Sequence, residues 1–403
     1  MRCIVSYAEI KKLAAAELQS AGIEEYEVDA EYLLQYASGL ERNELFIRWN
    51  EKVPHDIEEK YRHLIDRRKS HEPLQYIIGN QDFMGYTFMV TPDVLIPRFD
   101  TEILAELAIR RAWEDISAVR NIAVNSLTND QWIQSIPQNA ISDKMVSSCV
   151  NTISDGKYRI LDLCTGSGCV ATSVGLSLLE KLVNSSILNN RFASHTISNG
   201  DGKELVANEN KINNTEIQIC VTGADISRAA VELAKKNWEL NLTNIVAQHE
   251  NVTTAIDHTV FASAVNTPQS NSLEEKTGIG KQQIEATFLE SDLFRNIEGR
   301  FHLITANPPY IVRDEIETLM PEITEHEPHL ALDGGEDGMD FYRKIVSEAP
   351  NFLLPGGRLM MEFDDAEAES VAEMMEIAGF TDIRIHKDLA GLRRVIEGKK
   401  HVQ

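Results

Sequence analysis

Basic charge is what this chain has least of. Lys and Arg together number 39 against 63 Asp and Glu, a formal net charge of −24. General nucleic-acid binding needs a basic face, so that class is not expected. The local basic cluster Arg67-Arg68-Lys69 suits a solvated helix end. Long apolar runs are missing as well: none approaches the roughly 20 residues that cross a bilayer, so no membrane span is expected. The N-terminal stretch MRCIVSYAEIKK lacks the apolar core of a signal peptide. Cysteine is sparse and odd in number: Cys3, Cys149, Cys164, Cys169 and Cys220. No Cys-x-x-Cys or His-rich spacing accompanies them, which argues against a metal site and a disulfide framework. A reducing cytosol is the expected compartment, and a monomer the expected state.

At 403 residues the chain exceeds one ordinary domain, so two are expected. Two short stretches carry chemistry. The first follows the apolar run FHLITA, Phe301 to Ala306, which reads as a buried strand. Asn307-Pro308-Pro309-Tyr310 comes next. The prolines stop the strand, and Pro308 pushes Asn307 out of the α region onto a rigid strand end. An Asn carboxamide offers one acceptor oxygen and two donors. A neighbouring carbonyl, freed because proline cannot continue the ladder, adds a second acceptor. Two acceptors side by side suit a planar NH2 group on an amide or a base, with Tyr310 as a flat wall against it.

The second stretch lies upstream. YRILDLC, Tyr158 to Cys164, reads as a buried strand running into Thr165-Gly166-Ser167-Gly168 and then the helix-like CVATSVGLSLLEKL. Strand, Gly-rich turn and helix form the nucleotide-binding unit of doubly wound α/β folds. Glycine lets backbone approach a ligand, and the helix start offers free N–H groups. The Cys169-Val170-Ala171 run displaces the third glycine of the dinucleotide fingerprint. That disfavours a pyrophosphate clamp and favours a smaller, carboxylate-bearing ligand such as S-adenosylmethionine. A third strand candidate, IQICVTGAD, ends in Asp225, where such folds place an acid for ribose hydroxyls. Ser227 can N-cap the helix that follows.

DLCTGSG plus NPPY resembles the HemK/PrmC family, class I S-adenosylmethionine-dependent methyltransferases. Members methylate the side-chain amide of the glutamine in the Gly-Gly-Gln loop of peptide chain release factors. Pro73 to Glu102, Glu327 to Ile345, LLPGGRLMMEF and DLAGLRRVIEG are similar to the family too. The resemblance implies a Rossmann-like methyltransferase sheet behind a small helical domain, with release factors as protein partners. It implies catalytic roles for Asn307, Pro308, Pro309 and Tyr310. The cofactor contacts it implies are Asp162, Cys164, Thr165, Gly166, Ser167, Gly168, Asp225, Ile226, Asp292, Leu293 and Asn307, with Asp292 at the adenine amine and Leu293 on the ring face. The chain departs from the family after Glu362, where Phe363-Asp364-Asp365 replaces an Ile-Gly pair; the paired acids can simply face solvent.

Residues 1–72 read as the helical, substrate-recognising domain, 73–97 as a β-hairpin linker and 98–403 as the methyltransferase domain. In the first, Ser6 caps a helix ending at Gly22, a second spans about Val28 to Ala37, and Pro54 opens a third through Arg68. Arg98, Thr101 and Glu102 are candidates to line the cofactor pocket, with a three-turn helix starting at Asp100. Polar tracts at about 113–156, 183–216 and 253–283 read as insertions without regular structure. Asp388 to Glu397 reads as a last loop and an edge strand. Two other readings compete. One is an amino-methyltransferase acting on a DNA or RNA base, which shares NPPY. The other is a non-catalytic adaptor that binds no cofactor.

Overall fold

A computed structural model describes residues 5–127, 153, 155–193, 217–260 and 283–401, and the side chains of these apart from 121–127, 186–193 and 249–260. The first helix, α1 (Tyr7–Ser20), starts where Ser6 and Glu9 close a reciprocal capping box that satisfies two end N–H groups. It is followed by α2 (Tyr26–Ser38), α3 (Arg42–Ile47) and α4 (His55–Lys69). The short α3 was not expected from the sequence. Leu18, Leu33, Leu34, Leu45, Tyr61 and Leu64 form the core of this unit, each worth about 1.5–3 kcal/mol on burial.

The linker departs from a plain hairpin. Leu74–Ile78 forms a helical turn, α5, before the four-residue strands β1 (Asn80–Phe83) and β2 (Tyr86–Met89). Proline at the start and Gly79 in the left-handed region at the end make that turn self-capping. The hairpin does not hang free. The Met84 N–H donates to Glu102 Oε1 at 2.6 Å, and the Met89 N–H to Asn237 Oδ1 at 2.8 Å. The helical unit touches the larger domain through buried Arg68, whose Nε bonds Asp29 at 2.7 Å and whose Nη2 bonds Glu322 at 3.1 Å.

The rest of the chain runs α6 (Glu102–Leu127), β3 (Lys157–Leu163), α7 (Cys169–Ala193), β4 (Gln218–Asp225), α8 (Arg228–Val260), β5 (Ile284–Glu290) and β6 (Phe301–Ala306). It continues through α9 (Pro321–Thr324), α10 (Asp340–Phe352), β7 (Leu353–Glu362), α11 (Ala368–Ile377), β8 (Phe380–Lys387) and β9 (Arg393–Lys400). Among the described residues, seven strands form one sheet in the order β5-β4-β3-β6-β7-β9-β8. β9 alone of these runs against its neighbours. The chain builds outward from β3 to β5 on one side, then returns to place β6 on the other. That reversal opens a crevice beyond the C-terminal ends of β3 and β6.

Both faces of the sheet are covered. Ile160 and Leu303 join the cluster containing Leu104, Val174 and Trp238 from α6, α7 and α8. Leu161 and Ile304 join Tyr342, Ile345 and Met375 from α10 and α11. Burial on both faces is why FHLITA is buried throughout rather than alternating.

Three helices are longer than composition suggested. α6 runs on to Leu127, α7 to Ala193 and α8 to Val260, all inside tracts read as irregular. Residues 128–152, 194–216 and 261–282 of those tracts lie outside the described residues. The last strand is also corrected: β9 is interior, between β7 and β8, and β8 is the edge. No helix among the described residues is long and apolar enough to cross a membrane.

Candidate active site

A cavity of about 490 Å³ lies at the switch point, within the range of small-molecule sites. Its wall includes Asp162, Cys164, Thr165, Gly166, Ser167, Asp225, Ile226, Asp292, Leu293, Asn307 and Pro309. Strand ends separated by well over a hundred residues of sequence meet there.

The glycine turn is held from below. Buried Asp162 accepts from the Thr165 hydroxyl at 2.6 Å and from the Thr305 hydroxyl at 2.7 Å, tying β3 to β6. Burial pushes its carboxyl up to about 6, against those two hydroxyls, which favour the charged form. Gly168 sits at φ +78°, and a Cβ there would stand 2.9 Å from the Ala234 Cβ on α8, so only glycine lets turn and helix meet. It is thus a packing position beneath the turn, off the cavity wall. A Cβ on Gly166 would meet nothing within 4 Å, so the open space there begins at bare backbone. The Ser167 hydroxyl is buried beside it, next to the Cys169 thiol. Bare backbone and a hydroxyl on one wall fit a compact polar ligand.

Asp225 does more than the sequence indicated. Its Oδ2 accepts from the Gly166 N–H at 2.8 Å and its Oδ1 from the Ser227 N–H at 2.9 Å. The carboxylate clamps the turn to the start of α8, and each oxygen keeps lone-pair capacity toward the cavity. Burial raises its pKa, with the backbone N–H groups opposing. Ser227 caps α8 as expected, accepting from the Ala230 N–H at 3.2 Å.

Asn307 enters from the end of β6. Its Nδ2 donates to the Thr101 hydroxyl oxygen at 3.1 Å, and its side chain also favours the charged form of Glu362. Both contacts use the NH2 end, so Oδ1 is left for a ligand's donor. Pro309 lines the cavity; Pro308 is buried behind it, off the wall. Tyr310 does not form the flat wall expected of it. Its partly buried ring packs against the core cluster of α10 and β7, and the aromatic ring on the cavity wall is Phe341. Of the pocket candidates around the start of α6, Arg98 and Thr101 line the cavity and Glu102 does not; it holds the hairpin instead. Asp364 and Asp365 do not merely face solvent, because Arg394 and Arg393 pair with them.

Several wall and support residues were not legible beforehand. The loop Pro92 to Pro97 roofs the cavity, and Pro328, Leu330 and Lys344 complete it. Asn237, fully buried on α8, donates to the Met89 carbonyl at 3.0 Å and the Ser167 carbonyl at 2.8 Å, joining hairpin to glycine turn. A buried polar residue in a helix reads as solvent-facing until the fold is known. The DGGEDG turn also has a structural purpose. A Cβ on Gly338, at φ +74°, would lie 2.5 Å from the Tyr310 carbonyl oxygen. Gly338→Ala is expected to push the NPPY corner aside, destabilising by about 1–3 kcal/mol and lowering turnover more than tenfold through misplacement of Asn307 (roughly 100-fold per ångström). Thermal unfolding and steady-state rates on the same preparation measure the two effects.

Comparison with known proteins now adds to this geometry. The PrmC N-terminal domain family matches residues 9–79, the span of α1 through α5. The Eco57I restriction-modification methylase family matches residues 219–361, from β4 through β7. A release factor glutamine methyltransferase of Geobacter sulfurreducens is 30% identical over 383 residues, covering 95% of this chain and 92% of its own. The chain belongs to the release factor glutamine methyltransferase family. Another relative of that name, from Thermodesulfovibrio yellowstonii, is 29% identical and covers 91% of this chain and 90% of its own. A third, from Clostridium botulinum, is 28% identical and covers 95% of each. The family is S-adenosylmethionine-dependent, and membership makes this chain an enzyme of that class.

Proposed function

We propose that this chain transfers a methyl group from S-adenosylmethionine to the side-chain amide nitrogen of the glutamine in the Gly-Gly-Gln loop of peptide chain release factors. The observation that carries the reading is Asn307: a carboxamide fixed at a strand end in the cavity, with its NH2 turned into the protein and its oxygen left over.

Gly166, Ser167, Asp225, Ile226, Asp292 and Leu293 would hold the cofactor. Its sulfonium supplies an activated methyl group, which needs no metal and no covalent enzyme intermediate. The chain's own work is positioning. Holding two reactants in line can be worth about 7–11 kcal/mol of barrier. Asn307 Oδ1 and the Pro308 carbonyl accept the two amide hydrogens of the substrate. Those acceptors strengthen as the nitrogen gains positive charge, so they favour the transition state over the ground state. Phe341, rather than Tyr310, offers the flat surface beside them. The proton leaves to water after transfer, so no strong base is required.

Incubation with labelled S-adenosylmethionine tests this. A release factor is expected to take up label, and its loop Gln→Ala variant is not. Label that ignores the loop change would refute the glutamine assignment. Because residues 219–361 match a restriction-modification methylase family, duplex DNA and RNA belong in the same assay. Uptake by either would favour a base as acceptor, against the strongly acidic composition.

A further inference from the structure

Glu362 ends β7, directly beside the end of β6, since Ala306 pairs with Met361 across the two strands. It therefore sits next to Asn307 although 55 residues separate them (362 − 307). It is 3% exposed and meets Thr101, a residue of the cavity wall that is itself 2% exposed. Glu362 is not on that wall. One of its carboxyl oxygens, Oε2, is buried and takes no hydrogen bond. Thr101 and Asn307 are the two side chains whose hydrogen-bonding groups favour its charged form. A buried carboxylate costs stability, and a packing role would be served better by an apolar residue of similar size. Its purpose has to be sought at the site.

That purpose follows from the symmetry of a carboxamide. The oxygen and NH2 of Asn are nearly the same size, so shape does not decide which of them faces the cavity. Only the polarity of the neighbours can. Thr101 Oγ1 accepts from Asn307 Nδ2, which leaves the single hydroxyl proton of Thr101 free to go to an acceptor. An ionised carboxylate is an acceptor and nothing else. It draws the Thr101 proton toward itself and presents only oxygen to Asn307. Reversed, Asn307 would aim NH2 at the substrate's NH2, donor against donor.

We propose that Glu362 is a positioning residue that acts through Thr101 to hold the Asn307 carboxamide with its oxygen toward the substrate amide. The assignment of the substrate rests on the function proposed above; the orientation of Asn307 does not. The charged and titratable groups facing Glu362 are Asp100 before α6, Arg394 on β9, Tyr310 after β6, Tyr342 on α10 and Cys169 at the start of α7. Burial, opposed by Thr101, Arg394 and Asn307 and aided by Asp100, pushes the Glu362 carboxyl up to about 7. Its ionised, orienting form therefore gains ground as pH rises through neutrality.

Two measurements on the full chain decide the matter. The first is kinetic, with a release factor as substrate. Glu362→Gln supplies a group that can donate as well as accept, so it should lower kcat about 10- to 100-fold, the range for a mispaired buried group. S-adenosylmethionine affinity should stay within about twofold. The wild-type rise of kcat with pH near neutrality should flatten in the variant. Thr101→Val should act in the same direction and Thr101→Ser should restore the rate. The second needs no turnover. In the 15N-labelled protein, the Asn307 NH2 signal is identified by its loss in Asn307→Asp. It should move with pH in the wild type and stop doing so in Glu362→Gln. A folded Glu362→Gln with wild-type kcat, or an Asn307 NH2 signal indifferent to Glu362, would overturn the proposal. A wild-type chain that leaves the release factor unlabelled would instead count against the substrate assignment, and the NH2 signal would still decide the orientation.

Discussion

Asn307→Ala is expected to lower kcat by about 100- to 1,000-fold, the loss seen when one preorganised polar partner of a transition state is removed, while S-adenosylmethionine affinity is expected to change by no more than about twofold. The reason lies in the division of the site. The cofactor candidates Gly166, Asp225 and Leu293 hang on β3, β4 and the loop after β5, and the Gly166 clamp is closed by Asp225 without help from β6. Asn307 brings a single acceptor from the end of β6. Its removal leaves the glycine turn intact but lets the substrate amide rotate. Binding of substrate and of its transition state then differ less, which reads as lost kcat rather than lost cofactor affinity. Steady-state rates with a release factor, beside calorimetric titration with S-adenosylmethionine, check both halves. Near-normal turnover in the variant would remove Asn307 from the mechanism.

Replacing Glu397 has the other large expected effect, on stability. Glu397 lies fully buried on β9 among Arg111 Nη2 at 2.6 Å, His386 Nε2 at 3.0 Å and Arg358 Nη1 at 3.6 Å. Burial by itself would raise its carboxyl; His386, Arg111 and Arg358 outweigh that and hold it down to about 2. Glu397→Gln leaves Arg358, 5% exposed, with Asp382 at 4.0 Å as its other carboxylate. Breaking a buried pair this way is expected to cost about 3–5 kcal/mol, a fall of roughly 10 °C in Tm for a domain this large. The same geometry sets a pH dependence. The folded carboxyl gives up its proton more readily than the unfolded one, so the unfolded chain binds more protons in acid. The contribution is complete above the ordinary value of 4.5 and drains away as pH falls toward 2. Acid unfolding of wild type and variant should therefore converge at the low end. Parallel curves would show that the cluster does not carry the linkage.

Much of the architecture was legible because parallel strands buried on both faces are written as apolar runs. FHLITA and YRILDLC could hardly be anything else once glycine and proline closed their ends. NPPY and the CTGSG turn declared themselves because backbone geometry confines proline and glycine to few settings. Gly168 shows the limit of that logic. It was expected among the ligand contacts, yet its lack of a Cβ serves the approach of Ala234. Tyr310 shows another: an aromatic beside a site can face the core as easily as the ligand, and only packing decides.

Local rules acting within a few residues determined the strand ends, the glycine turn, the caps and the family to which the chain belongs. Tertiary structure decided which distant side chains share a space. The joining of Thr101, Asn307 and Glu362, the clamp of Gly166 by Asp225, the interior place of β9 and the presence of Phe341 on the cavity wall all follow from strand order and helix packing. Sequence separation carries no information about such contacts, because the sheet places β3, β6 and β7 side by side however many residues lie between them.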